Sequence, residues 1–305
     1  MPQTLQEKLA AGRFVITAEV TPPVSADRRD LIVKAAPLKG LADAINITDG
    51  AGARPHLDAV TAAAMLVQEG LEPVLQLTCR DRNRIALQSD LLAAAAAGIR
   101  NLLMLRGDDP SAGDQPEAKA VFDLDARQLM ETARRLRDQG ELPSGRKIGG
   151  RADFFLGGAD NPVDPPPGWQ PKSLAAKIAA GAQFVQTQFC MDAAVVQRYM
   201  ARLAESGIAP LPYMLIGVAP LRSAKSARWM REKLYGTIIP DPLIARLDAA
   251  KDPEEEGRRI CLELIEELSQ IPHVAGCHVM APGRDTGVPE VLAQARRTIA
   301  RLNAA

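Results

Sequence analysis

The residues best suited to chemistry in this chain stand at the ends of short apolar runs. Glu19 lies near the end of residues 14–20, FVITAEV, just ahead of Thr21, Pro22 and Pro23. Thr48 and Asp49 follow AINI, Gln76 and Thr78 belong to EPVLQLT, and Arg106, Gly107, Asp108, Asp109 and Pro110 break the run NLLML at 101–105. Gly157, Gly158, Asp160 and Asn161 follow DFFL, and Gln186 and Gln188 lie two apart in FVQTQ. A carboxyl among apolar neighbours such as Val15 and Val20 is a candidate general acid, because desolvation favours its protonated form. Polar groups in otherwise apolar strands need partners, from the protein or from a ligand. Each residue also has a plainer reading. Glu19 could be an ion-paired strand residue, Arg106 with Asp108 a structural ion pair, Gln186 and Gln188 interior packing, and Gly157-Gly158 a turn. The three histidines, His56, His273 and His278, show no ligand spacing, so no metal is expected.

These residues do chemistry together only if the fold gathers them. Apolar, β-rich runs predict strands at residues 14–20, 43–48, 72–78, 101–105, 153–156, 184–188, 211–216 and 276–280. Helical spacing fills the gaps, first after a cap at Ser25 or Asp27 with Leu31, Ile32, Ala35 and Leu38 in step and Gly40 as a stop, then at 55–68, 82–97, 124–138, 172–180, 193–205, 223–234, 240–250 and 288–302, with a proline-started helix from about 253 to 269. Pro165, Pro166 and Pro167 must be extended or turning, in a rigid loop. Unbroken strand–helix alternation implies parallel strands joined by right-handed crossovers. Eight such units predict a (β/α)8 TIM barrel, an α/β fold, as a single domain over residues 1–305. An open doubly wound sheet is the competing layout, but its glycine fingerprint is poorly met. The nearest match, Gly50-Ala51-Gly52-Ala53-Arg54-Pro55, has proline where tight packing wants glycine or alanine. In a barrel every strand's carboxyl end faces one rim, and the scattered polar residues converge there.

Composition narrows the function classes. The 305 residues carry 37 basic and 37 acidic side chains, and a chain without net charge or a basic run is not built to displace counterions from nucleic acid. No stretch approaches the length of a membrane span, and the first residues lack the apolar core of a signal peptide, so a cytoplasmic protein is expected. Cys79, Cys190, Cys261 and Cys277 have no CxxC spacing and are expected as free thiols. A homo-oligomer is expected, though no motif fixes the number of subunits.

Taken together, TAEVTPP, LTC, LRGDDP, KIAAGAQF and QTQF followed by an aspartate resemble the methylenetetrahydrofolate reductase family, over nearly the whole chain. The resemblance implies a barrel that holds FAD at the carboxyl rim and reduces 5,10-methylenetetrahydrofolate with NADH or NADPH. Carried onto matching positions, it implies Glu19 as the general acid, Asp108 as the acid beside flavin and pterin, and Gln188 as a pterin-binding amide. It further implies FAD contacts at Arg106, Gly107 and Lys177, with Thr48, Gly158 and Asn161 in support. Arg106 and the glycine turns would offer donors to a pyrophosphate without a Rossmann fold. Two departures stand out. Gln76 replaces a histidine that many members carry and so alters a cofactor contact, and residues 219–224 lack the family's aromatic after the seventh strand. Without the regulatory domain of eukaryotic members, no control by adenosylmethionine is expected. A relative working mainly in the oxidative direction, or a folate- or flavin-binding partner subunit, would share these motifs.

Overall fold

A computed structural model describes residues 3–281 and 287–302. Eight parallel strands close into a barrel in chain order: β1 (Val15–Val20), β2 (Ala44–Ile47), β3 (Pro73–Thr78), β4 (Asn101–Leu105), β5 (Phe155–Asp160), β6 (Phe184–Phe189), β7 (Tyr213–Val218) and β8 (Val274–Val279). Around them lie helices α1 (Leu5–Ala10), α2 (Arg28–Ala35), α3 (Ala59–Gln68), α4 (Arg84–Ala96), α5 (Ala126–Gln139), α6 (Lys172–Ala180), α7 (Ala193–Glu205), α8 (Ala224–Lys233), α9 (Asp241–Ala249), α10 (Pro253–Ser269) and α11 (Val288–Leu302), with short 3-10 turns at Ala36–Leu38, Ala51–Ala53 and Pro110–Ala112. The (β/α)8 barrel expected from the alternation is the fold observed. Among the described residues, no helix is long and apolar enough to cross a membrane.

Strand alternation divides the core in two. Leu102 and Met104 turn outward to the helices, while Leu103 turns into the barrel, and the other strands do likewise. Inside, Val15, Ala44, Val74, Leu103, Phe155, Phe184 and Leu215 meet Leu5 and Leu9 of α1, which closes the amino-terminal end. That helix begins with a capping box in which Thr4 Oγ1 accepts from the Glu7 amide at 3.2 Å and the Glu7 carboxylate accepts from the Thr4 amide at 2.8 Å. Asp43 fastens the same end. Its Oδ2 accepts from the Ile16 amide at 2.8 Å, and Lys8 of α1 and Arg296 of α11 pair with it at 2.9 and 2.7 Å.

The fifth strand corrects the sequence reading. Strand was expected to stop at Leu156 and Gly157-Gly158 to turn, yet β5 runs through both glycines to Asp160. The reason lies on the neighbouring strand. Phe184 stacks on Phe155 with ring centroids 4.8 Å apart, and a Cβ on Gly157 would stand 2.2 Å from the Phe184 ring. Gly157 is the space for that ring.

A bulge interrupts the pairing of β6 with β7: Gln186 lies opposite Leu215, but Phe189 lies opposite Gly217. One extra residue on β6 re-aims the side chains of the bulged segment, here Thr187 and Gln188. Gly217 accommodates the bulge, since a Cβ there would lie 2.4 Å from the Thr187 carbonyl oxygen. The Thr187 hydroxyl accepts from the Gly217 amide at 2.9 Å and holds the bulge in place.

Candidate active site

The carboxyl ends of the strands surround an open cavity of about 630 Å³. Its depth is set by Gln76, Leu103, Gln186 and His278, and its mouth by Arg106, Asp108, Asn161, Gln188 and the end of α8, where Lys233 and the following Leu234 and Tyr235 come to the edge. Tyr235 is 89% exposed, an aromatic ring held out over the mouth. Gly236 lets the chain after α8 lie against β5's end, because a Cβ there would stand 2.6 Å from the Asn161 side chain.

Glu19 lines the cavity with its side chain 25% exposed. Gln76 Nε2 donates to its Oε2 at 3.1 Å, and His278 Nε2 faces the same oxygen at 3.7 Å. Beneath them lies a layer of buried polar side chains. Asn46 Nδ2 donates to Gln186 Oε1 at 2.6 Å, and Gln186 Nε2 donates both to Asn46 Oδ1 at 3.0 Å and to Thr17 Oγ1 at 3.1 Å. Thr17 Oγ1 in turn lies 2.9 Å from His278 Nδ1. Every member of this layer has a partner, as burial in an apolar barrel requires.

The rim over β2, β3 and β4 is braced by charge. Asp49 accepts from the Thr78 amide at 2.8 Å, from the Thr78 hydroxyl at 2.9 Å, and from Arg82. Arg80, nearly fully buried, pairs with Asp81 at 2.7 Å and donates to the Gly50 carbonyl at 3.1 Å. Gly107 crosses above it with φ of +93°, and a Cβ there would approach Arg80 Cβ to 2.9 Å, so both conformation and space demand glycine. Asp108, which lines the cavity, accepts from the Gly52 amide through Oδ2 at 2.8 Å. Arg106 lies over the Phe122 ring at 4.5 Å from its centroid. The Arg106–Asp108 ion pair entertained from sequence does not form: the two residues use Phe122 and Gly52 instead. Burial raises the Asp160 carboxyl above its usual range, opposed by the Tyr199 hydroxyl that donates to it and by the charge of Lys177.

Comparison with known proteins adds what geometry alone does not. Residues 4–296 match the family model of methylenetetrahydrofolate reductase. The chain belongs to this family. It is 24% identical over 282 residues to the 5,10-methylenetetrahydrofolate reductase of Pectobacterium carotovorum, covering 88% of this chain and 86% of that one. It is 26% identical over 263 residues to the probable methylenetetrahydrofolate reductase (NADPH) of Caenorhabditis elegans, covering 81% of this chain but 37% of the nematode protein. The chain thus spans little more than a third of that reductase, and about a third of methylenetetrahydrofolate reductase 2 of Schizosaccharomyces pombe. Among solved structures, a Clostridium thermocellum protein that binds two copies of 5-methyl-5,6,7,8-tetrahydrofolic acid shares the fold, with a TM-score of 0.65, 14% identity, and coverage of 97% of this chain and 99% of that one.

Of the site positions expected from the sequence, Glu19, Thr48, Gln76, Arg106, Gly107, Asp108, Asn161 and Gln188 all line the cavity. Gly158 and Lys177 do not line it. The side-chain position of Gly158 points to Met130 and Lys177 in the helical layer, and Lys177 Nζ donates to the Ala159 carbonyl behind β5. Sequence reasoning missed His278 as a site residue, setting it aside for want of metal spacing. Its signal was strand alternation, which puts Gly276 and His278 on one face of β8. Tyr235 had no such signal, because only the fold brings its loop to the mouth. Among the described residues, no group of three or more His, Cys, Asp or Glu could hold a metal ion.

Proposed function

We propose that the barrel reduces 5,10-methylenetetrahydrofolate to 5-methyltetrahydrofolate, using bound FAD and NADH or NADPH, with Glu19 as general acid. The observation that carries this reading is the placement of Glu19. It is a cavity-lining carboxylate beside Gln76 and His278, tied through one oxygen to Gln76, with its other oxygen unpartnered among the described residues. Opening the five-membered ring of the substrate leaves a nitrogen that must gain a proton, and a carboxyl within reach supplies it. Gln188 Oε1 accepts from the Phe189 amide at 3.0 Å, so its amide group is turned to donate to acceptors of a pterin ring. Asp108 Oδ1 is available to accept from pterin N–H groups at the mouth.

The residues also fit a flavin. Thr48 Oγ1 is buried at the cavity wall with no partner among the described residues, an orphaned group that a bound ring would satisfy. Gln76, the Gly107 backbone and Asn161 line the same wall, and the guanidinium of Arg106 would meet a phosphate. FAD held there would supply the hydride chemistry, while the protein supplies alignment and the proton. Lys177 would contribute charge from behind β5. Relatives named for NADPH and for NADH support a nicotinamide donor, and the folate-binding neighbour supports the substrate class.

The purified protein is expected to be yellow with a flavin spectrum that NADH or NADPH bleaches. Glu19→Gln should keep that bleaching and lose methylenetetrahydrofolate reduction by about 10²- to 10⁴-fold, the range of a positioned acid. A colourless protein that takes up no FAD removes the flavin from the proposal, and equal loss of both half-reactions removes Glu19 from the acid's role.

A further inference from the structure

A chain of hydrogen bonds runs from Asn46 through Gln186 and Thr17 to His278, whose Nε2 stands 3.7 Å from Glu19, and its direction decides where protons lie. Gln186 Nε2 spends both hydrogens, one on Asn46 Oδ1 at 3.0 Å and one on Thr17 Oγ1 at 3.1 Å. Thr17 Oγ1 is then an acceptor from Gln186, and its own hydrogen is free to go elsewhere. Two acceptors are near: His278 Nδ1 at 2.9 Å and the Cys277 carbonyl at 3.4 Å. The shorter contact wins on distance. With Nδ1 accepting, the imidazole hydrogen stands on Nε2, and Nε2 faces Glu19 Oε2.

Flipping both amides gives the opposite direction with the same contacts. Thr17 would then donate to Gln186, His278 would donate from Nδ1 to Thr17, and the bare lone pair of Nε2 would face Oε2. Whenever Glu19 had given up its proton, two acceptors would confront each other at 3.7 Å in a buried layer where His278 is 2% exposed. The first direction leaves no such conflict, because an N–H dipole points at the carboxyl in either protonation state. Gln76 presents a second N–H to the same oxygen at 3.1 Å.

We infer that His278 is a positioning residue for Glu19: Asn46, Gln186 and Thr17 fix its hydrogen on Nε2, and His278 with Gln76 directs the acid's proton to Oε1. Its consequence for catalysis rests on the reading of Glu19 as the acid, whereas the tautomer does not. Oε1 is the oxygen without a protein partner among the described residues, so the proton is carried on the side a substrate can reach. Thr17 and Asn46, which do not line the cavity, act through His278 without touching the substrate.

The test is ¹⁵N NMR of ligand-free protein labelled at histidine, with the His278 signals assigned by their loss in His278→Gln. The expected spectrum at pH 7 has Nε2 protonated and Nδ1 bare, in the wild type and in Thr17→Ser. Thr17→Val deprives Nδ1 of its donor and should shift the population toward the other tautomer. A wild-type proton on Nδ1, or on both nitrogens, overturns the inference. In turnover, Thr17→Val should slow the folate step about tenfold, a fraction of what a positioned acid contributes, with the folate KM within about twofold, and Thr17→Ser should restore it. An unchanged folate rate in Thr17→Val, with the protein folded, also overturns it. If Thr17→Val does not fold, the wild-type spectrum still decides. A wild-type protein that reduces no folate counts against the proposed function and leaves the tautomer result standing.

Discussion

Gly217→Ala tests whether the β6 bulge shapes the site. The added methyl would lie 2.4 Å from the Thr187 carbonyl oxygen and 2.8 Å from the carbonyl carbon of Gln188. Ordinary contacts of this kind begin near about 3.5 Å, so the overlap is roughly 1 Å. Both obstructing groups are backbone, tied across the bulge by the Thr187 hydroxyl to the Gly217 amide and by the Cys190 amide to the Gly217 carbonyl at 2.9 Å each. No side-chain rotation relieves the clash, and the bulge itself must move. Overpacking of this sort costs about 1–3 kcal/mol, of which alanine's stiffer unfolded chain offsets about 0.4–1. At about 2–4 °C per kcal/mol in a large domain, the melting temperature should fall by a few degrees. Gln188 moves with the bulge, and a displacement of about 1 Å can weaken a site by as much as about 10²-fold. Calorimetry and folate titration measure the two effects. Gly158→Ala is the control, since its Cβ would meet only the flexible ends of Met130 at 3.3 Å and Lys177 at 3.4 Å. Wild-type melting and wild-type folate affinity in Gly217→Ala, or equal damage in Gly158→Ala, would refute the reasoning.

Three further outcomes are expected. Asp43→Ala removes the acceptor of the Ile16 amide and the partner of Lys8 and Arg296, whose own part-exposure softens the loss. Urea unfolding should show about 2–4 kcal/mol less stability at unchanged m, and a loss below about 1 kcal/mol would mean the cluster is ornamental to stability. Thr48→Val should leave the ligand-free protein as stable as wild type or slightly more so, because the buried hydroxyl has no partner among the described residues, while weakening flavin uptake. A marked drop in the stability of the ligand-free variant would show that the hydroxyl has a structural role after all. Burial pushes the thiol of Cys79 up to about 11 and those of Cys190 and Cys261 up to about 12, and raises Cys277 well above its usual value. At pH 8 no more than about 10⁻³ of any is thiolate, so a thiol reagent should label the protein only in denaturant, and rapid labelling of the native protein would contradict their placement.

Most of the barrel was legible because a strand buried on both faces announces itself as an unbroken apolar run, as NLLML does. What failed was local reading of positions whose identity is set by another strand. Gly157 looks like a turn until Phe184 claims its space, and β5 accordingly extends four residues beyond its expected end. The opening helix went unread although Thr4 and Glu7 carry the spacing of a capping box. At the site, strand ends pointed to Glu19, Gln76 and Asp108, whereas Lys177 was placed by motif alone and lies behind the sheet. His278 was hidden by the wrong question, since one histidine is a poor metal ligand but a good neighbour to a carboxyl. Tyr235 sits in a loop between helices, where no periodicity says which way a side chain will hang.

The stacked pair Phe155 and Phe184, sealed from beneath by Leu5 and Leu9, gives the cavity a fixed depth. A flat molecule entering the mouth stops at Leu103 and Gln186, however long its remaining part. Discrimination between ring systems therefore belongs to residues at that stop, and discrimination between tails on the same ring to Arg106, Lys233 and Tyr235 outside it. Engineering one need not disturb the other, and a variant library split at the level of Glu19 would separate the two kinds of selectivity.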